Sequence, residues 1–127
     1  MNYGYKRQVN LSYEGAVEKM REALKTEGFG VITEIDVKAV LKKKLDVEFD
    51  NYIILGACNP PFAYEGLKIE REIGLLMPCN VVVYEEKGKT FVAGIRPTIT
   101  MSIIDNPKLA GVAGSIEKKL QKAIDSI

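Results

Sequence analysis

The chain has 127 residues, and its 18 lysines and arginines against 17 aspartates and glutamates give a formal net charge of +1. It has two cysteines and no histidine, which excludes a histidine general base, a Ser/His or Cys/His dyad, and a structural zinc site built from one chain alone. The length and the 46% hydrophobic content predict one folded domain over residues 1–127.

The first half of the chain alternates strand patterns with amphipathic helix patterns. In chain order, we predict a strand over residues 3–11, a helix from the N-cap Ser12 to Gly28, a strand over residues 31–35, and a helix over residues 37–45 capped by Asp36. Apolar side chains recur at spacings of three and four in both helices, so each helix has one face to bury.

The second half begins with a continuous apolar run over residues 52–58, which is typical of a central strand covered on both faces. Asn59 followed by Pro60 predicts the start of a third helix, which runs through Glu70 toward Gly74. A strand over residues 79–84, a turn at Gly88 and a strand over residues 90–95 then form a hairpin. Residues 99–104 fit a loop or a helical turn, and Asn106-Pro107 starts a long C-terminal helix.

The resulting element order, βαβαβαββα, predicts an α+β fold. Its five strands are expected to form one mixed sheet, with the helices packed mainly on one face. An exposed edge strand in such a sheet can pair with a second copy of the chain, so we expect a homodimer.

The composition also limits the partners. A near-neutral chain lacks the net basic character that binding to phosphates needs, so we expect no nucleic-acid partner. Residues 1–10 do not form a secretory signal, and no window reaches the ~18–20 apolar residues of a membrane span. We therefore expect no membrane partner and a cytoplasmic location, where the two thiols are free, metal-ligating or redox-active rather than joined in a structural disulfide.

The two cysteines have matching neighbours. Cys58-Asn59-Pro60 ends one predicted strand, and Pro78-Cys79-Asn80 begins the next. Cys58 lies at a predicted helix N-terminus, where the positive end of the dipole lowers the pKa of a thiol, so it is a candidate nucleophile or soft-metal ligand. In the alternative interpretation both thiols pack as small hydrophobic groups and Asn59 caps the helix.

The strand directions decide whether the two thiols form one site. If the two strands are antiparallel neighbours, Cys58 and Cys79 meet at the same end of the sheet. If a crossover makes the strands parallel, the thiols are about 20 Å apart, at ~3.3 Å per residue.

Glu70 is the other candidate for chemistry. With Ala63 and Leu67 it is predicted to lie on the inner face of the third helix, where a half-buried carboxylate can act as an acid. The alternative is a position at the rim, paired with Arg71 or a lysine. The sequence has no phosphate loop, dinucleotide fingerprint, calcium loop or zinc-ligand spacing, so it predicts no metal site and leaves any cofactor unknown.

Several segments resemble the family called domain of unknown function 302 (DUF302). They are residues 56–60 (Gly-Ala-Cys-Asn-Pro), 63–65 and 73–85, together with residues 28–31 and 34–45. Met77 stands where the family pattern more often has leucine. The resemblance implies a small α+β domain that forms a homodimer, occurs in bacteria and archaea, and has neither an established reaction nor catalytic residues to transfer.

Three functions are compatible with these observations. The leading hypothesis is a binding domain for a small ligand or thiol species, with candidate residues Cys58, Asn59, Pro60, Cys79, Asn80 and Glu70. The second is a cysteine-dependent redox or transfer enzyme, in which Cys58 attacks and Cys79 resolves the adduct as a disulfide. A variant of it holds a soft metal between the thiols of a dimer. The third is a purely structural or interaction domain, so the sequence leaves enzymatic activity open.

Overall fold

The computed structural model describes residues 1–127, and five strands and five α-helices account for most of them. The strands are β1 (Gly4–Val9), β2 (Gly30–Asp36), β3 (Tyr52–Cys58), β4 (Cys79–Glu86) and β5 (Lys89–Ile95). The helices are α1 (Tyr13–Thr26), α2 (Val37–Leu45), α3 (Pro60–Ile69), α4 (Pro97–Thr100) and α5 (Leu109–Asp125). Short 3-10 helices cover Arg71–Leu76 and Met101–Ile103.

The strands form a single sheet in the order β1-β5-β4-β3-β2, and every neighbouring pair is antiparallel. The prediction of an α+β fold with five strands in one sheet is therefore confirmed, but the prediction of a mixed sheet is wrong. A helix between two strands suggested a parallel crossover. Instead, α2 connects the neighbouring antiparallel strands β2 and β3, and α3 connects β3 and β4.

Local signals account for the starts of α1 and α2. The side chain of Ser12 accepts a hydrogen bond from the Gly15 N–H at 3.0 Å, and the Asp36 side chain accepts one from the Ala39 N–H at 3.0 Å. Each side chain satisfies a backbone donor that the first helical turn leaves free. Both predicted N-caps are thus present.

The predicted third helix is too long. α3 ends at Ile69, Glu70 has extended backbone angles, and the chain continues as the 3-10 helix. The helical segments at residues 97–103 were also missing from the predicted order, which left residues 99–104 as a loop or a helical turn.

The hydrophobic core lies between one face of the sheet and helices α1 and α5. Its fully buried side chains come from both layers: Met20, Leu24, Leu55, Val81, Val83, Val92, Leu120 and Ile124. The layers are in close contact at Gly94, where an added Cβ would lie 2.7 Å from Ile124 Cδ1. A glycine in β5 therefore lets α5 approach the sheet.

The opposite surface of the sheet, here called the open sheet face, has half-buried apolar side chains at Tyr52, Ile54, Val82, Tyr84, Phe91 and Ala93. The three aromatic rings form a row, with Tyr52 stacked on Tyr84 at 5.2 Å and Tyr84 on Phe91 at 5.3 Å between centroids. The Lys6 ammonium lies over this row, 4.6 Å from the centre of the Phe91 ring.

Candidate functional site

The antiparallel pairing of β3 and β4 brings the two cysteines to one end of the sheet. Cys79, the first residue of β4, is directly opposite Ala57, and Cys58 is the next residue of β3. Of the two arrangements that the sequence left open, the structure has the antiparallel one, which places both thiols at the same end of the sheet. Both cysteines are free, Cys58 half-buried and Cys79 buried.

The thiols line a partly open pocket of about 190 Å³, here called the cysteine cavity. On the sheet side its wall consists of Ala57, Cys58 and Cys79, and α3 contributes Phe62 and Ala63. Twelve of its fifteen lining residues are hydrophobic and none is charged. A binding site with this lining selects for apolar and uncharged molecules.

Segments far apart in the sequence close the cavity on its other sides. Ile73 comes from the first 3-10 helix, Met77 and Pro78 from the segment before β4, Met101 from the second 3-10 helix, and Ile116 from α5. None of these five residues was predicted to belong to a site. Their sequence signal is that of ordinary core residues, because a cavity wall and a filled core are made of the same side chains.

Asn59 contributes the one side-chain amide to the lining. Asn59 occupies the predicted N-cap position of α3, but its side chain makes no capping hydrogen bond. Instead, Nδ2 donates a hydrogen bond of 3.2 Å to the carbonyl oxygen of Glu27, the C-cap residue that follows α1. The side chain is 7% exposed and ties the corner between β3 and α3 to α1.

The environment of Cys79 suppresses its ionisation. Burial, with a smaller contribution from the neighbouring Cys58, raises the pKa of the Cys79 thiol to about 11. The thiol is therefore protonated at neutral pH, whereas disulfide exchange needs the thiolate. The buried, protonated thiol of Cys79 is poorly suited to be the resolving group of a redox pair.

Three of the candidate residues do not line the cavity. Pro60 is exposed in the first turn of α3, and Asn80 is exposed next to the open sheet face. Glu70, predicted on the inner face of a helix, instead follows the end of α3, and its Oε2 atom is 3.5 Å from Asn106 Nδ2. The structure thus unites Cys58, Asn59 and Cys79 and separates them from Pro60, Asn80 and Glu70.

The packing at this end of the sheet depends on a glycine. A Cβ added at Gly56 would lie 2.8 Å from Pro78 Cγ and would overlap Thr33 Oγ1. The absence of a side chain at position 56 lets Pro78 pack against β3, so Pro78 stays beside the two cysteines.

The structure shows no group of three or more cysteine, aspartate or glutamate side chains that could hold a metal ion. None of its helices has both the length and the apolar character needed to cross a membrane.

These features define a small α+β domain with a five-stranded antiparallel sheet and an apolar cavity at one end of that sheet. The family model of DUF302, a domain of unknown function, matches residues 5–127, so the chain belongs to the DUF302 family. A crystal structure of an uncharacterized conserved DUF302 protein from Bacillus stearothermophilus is similar, with 32% sequence identity, a TM-score of 0.92 and 98% of each chain covered. No curated protein matches the chain.

Proposed function

We propose that this domain binds a compact, uncharged, apolar molecule in the cysteine cavity. The observation that carries the proposal is the cavity itself, about 190 Å³ with a hydrophobic lining at the place where the two cysteine motifs meet. An apolar cavity of about 150 Å³ is large enough to hold benzene. The space therefore suits a single aromatic ring or a short hydrocarbon chain.

Toluene is a suitable probe, because it has the required size and no polar group. We expect a titration followed by ¹H–¹⁵N NMR of the full chain to shift the amide signals of Phe62, Ala63 and Ile73 in a saturable way. Signals on the open sheet face are expected to stay unchanged, since that surface is separate from the cavity.

A pair of variants links the binding to the cavity. Ala63→Leu adds a larger side chain to the lining and is expected to weaken toluene binding by more than about tenfold. Ala39→Leu makes the same change at an exposed position of α2 and should bind like the wild type. Toluene binding that is absent, or that Ala63→Leu leaves unaltered, would contradict the proposal.

As a second activity, we propose that the domain forms a homodimer through the open sheet face. The observation that favours this arrangement is the row of apolar and aromatic side chains on that face, including Ile54, Val82 and Phe91, which no helix covers completely. A second copy offers a surface of the same character, and a net charge of +1 gives little repulsion between two copies.

A further inference from the structure

Asn59, the one side-chain amide in the lining of the cysteine cavity, has an unused hydrogen-bonding atom. Its side chain makes one hydrogen bond, from Nδ2 to the Glu27 carbonyl oxygen. A carbonyl oxygen can only accept hydrogen bonds, so the atom that faces it must be the NH₂ group of the amide. The remaining amide atom, Oδ1, is therefore an acceptor, and the structure gives it no partner.

The position of this acceptor matters because Asn59 is 7% exposed and lines the cysteine cavity. No fully buried side-chain oxygen of this chain lacks a hydrogen bond, so the unpartnered Oδ1 keeps some access to solvent. A ligand that donates a hydrogen bond to it gains both affinity and a fixed orientation. The thiols of Cys58 and Cys79 are weaker hydrogen-bonding groups than an amide oxygen. Asn59 Oδ1 is thus the strongest acceptor that a side chain of the lining offers.

We propose that the natural ligand is a compact apolar molecule with one neutral hydrogen-bond donor, such as a hydroxyl group, and that Asn59 Oδ1 accepts the hydrogen bond from it. This inference rests on the proposed function and specifies its ligand class. The lining has no charged side chain, so a carboxylate or ammonium group has no partner there and would lose its hydration. The donor is therefore an uncharged group.

Three probes of nearly equal size and shape test the inference on the full wild-type chain. Phenol has a hydroxyl donor, fluorobenzene has no donor, and toluene has no polar group. In a cavity without a free acceptor, phenol binds much more weakly than toluene, because its hydroxyl loses water without finding a new partner. Here we expect the dissociation constant of phenol, measured by NMR titration, to be no larger than those of toluene and fluorobenzene.

The possible results separate the two proposals. Binding of toluene together with a larger dissociation constant for phenol overturns the inference and leaves the proposed function standing. Failure of all three probes to bind overturns both. Binding of toluene together with equal or tighter binding of phenol supports both.

Variants then locate the acceptor. Asn59→Leu keeps a side chain of similar size and removes Oδ1, so phenol affinity should fall about tenfold relative to toluene affinity. Asn80→Leu makes the same change at an exposed position outside the cavity and should keep the wild-type ratio. An unchanged ratio in a folded Asn59→Leu protein overturns the assignment to Asn59. If the loss of the bond to Glu27 unfolds that variant, the three probes on the wild-type chain still decide the question.

Discussion

Glu117 is the one charged residue that folding buries in this protein, and it connects α5 to the segment after β5. Its carboxylate accepts hydrogen bonds from the Thr98 N–H at 3.0 Å, the Thr98 hydroxyl at 2.6 Å and Arg96 Nε at 3.2 Å. Burial alone would raise the pKa of Glu117, but the hydrogen bonds from Thr98 and Arg96 outweigh it and hold this pKa below its usual value.

A lowered pKa of Glu117 predicts a specific dependence of stability on pH. The folded state binds fewer protons than the unfolded chain, so the stabilisation is complete above the unfolded pKa of about 4.5 and is lost as the pH falls through the lower folded value. We expect Glu117→Gln to lower the free energy of unfolding at pH 7 by about 1–3 kcal/mol, since Arg96 loses its charged partner.

The measurement is urea unfolding of the wild type, Glu117→Gln and the exposed control Glu18→Gln between pH 7 and pH 3. The variant at position 117 should lose less stability on acidification than the wild type, and the control should follow the wild type. Identical pH profiles for the wild type and Glu117→Gln would show that the carboxylate does not stabilise the fold in this way.

The buried thiol of Cys79 is expected to react slowly at neutral pH. With a pKa of about 11, largely caused by burial, its thiolate fraction at pH 7 is about one in ten thousand. In a Cys58→Ala variant, where Cys79 is the remaining thiol, we expect alkylation by iodoacetamide to be very slow at pH 7. Its rate should keep rising up to pH 10. A rate that levels off near pH 8.5, as for an ordinary thiol, would contradict the burial of this group.

Contacts between whole elements give a test of how closely α5 packs on the sheet. Gly94→Ala adds a Cβ against the fully buried Ile124, and we expect a loss of about 1–3 kcal/mol in the free energy of unfolding. Ile124→Val removes the Cδ1 atom that the new Cβ would meet and should by itself cost about 0.5–1.5 kcal/mol.

The double variant makes the test specific. If the overlap between position 94 and Ile124 causes the loss, the double variant should be more stable than the sum of the two single effects predicts. Denaturant unfolding of all four proteins gives this coupling energy. Strict additivity would place the damage from Gly94→Ala elsewhere, for example in the backbone of β5.

At the level of helices and strands, the sequence predicts some features of the fold and not others. The helix caps Ser12 and Asp36 and the turn at Lys87-Gly88, where both residues have positive φ, depend on neighbours a few residues away and could be recognised. The direction of neighbouring strands could not be derived from such signals, because it depends on where the connecting helices pack. The expectation of parallel crossovers in a mixed sheet was wrong for this reason.

The candidate site was predictable to a similar extent. The matching neighbours of Cys58 and Cys79 identified one end of the sheet, and the structure places both thiols there. Residues such as Phe62, Ile73 and Met101 could not be assigned to a site, because side chains that line a cavity and side chains that fill a core give the same apolar pattern. Asn59 was a candidate, but its hydrogen bond to Glu27 depends on tertiary structure.

At the scale of the whole molecule, the open sheet face predicts concentration-dependent assembly. We expect the wild type to sediment as a dimer at high concentration, and we expect Val82→Lys, which places a charge in the middle of that face, to remain a monomer of 14.1 kDa. Leu75→Lys is the matched control, because Leu75 is a similarly apolar residue that is 85% exposed elsewhere on the surface. A wild type that stays monomeric at every concentration would contradict the proposed homodimer.

The pairing of β1 with β5 has a consequence for the order of events during synthesis. β1 hydrogen-bonds with no strand except β5, from Gly4 opposite Ile95 to Val9 opposite Thr90. Arg7 of β1 also donates hydrogen bonds to the carbonyl oxygens of Ile124 and Ile127 at the far end of the chain. β1 therefore leaves the ribosome well before β5 and α5, and until those elements follow, its edge is open to other nascent chains.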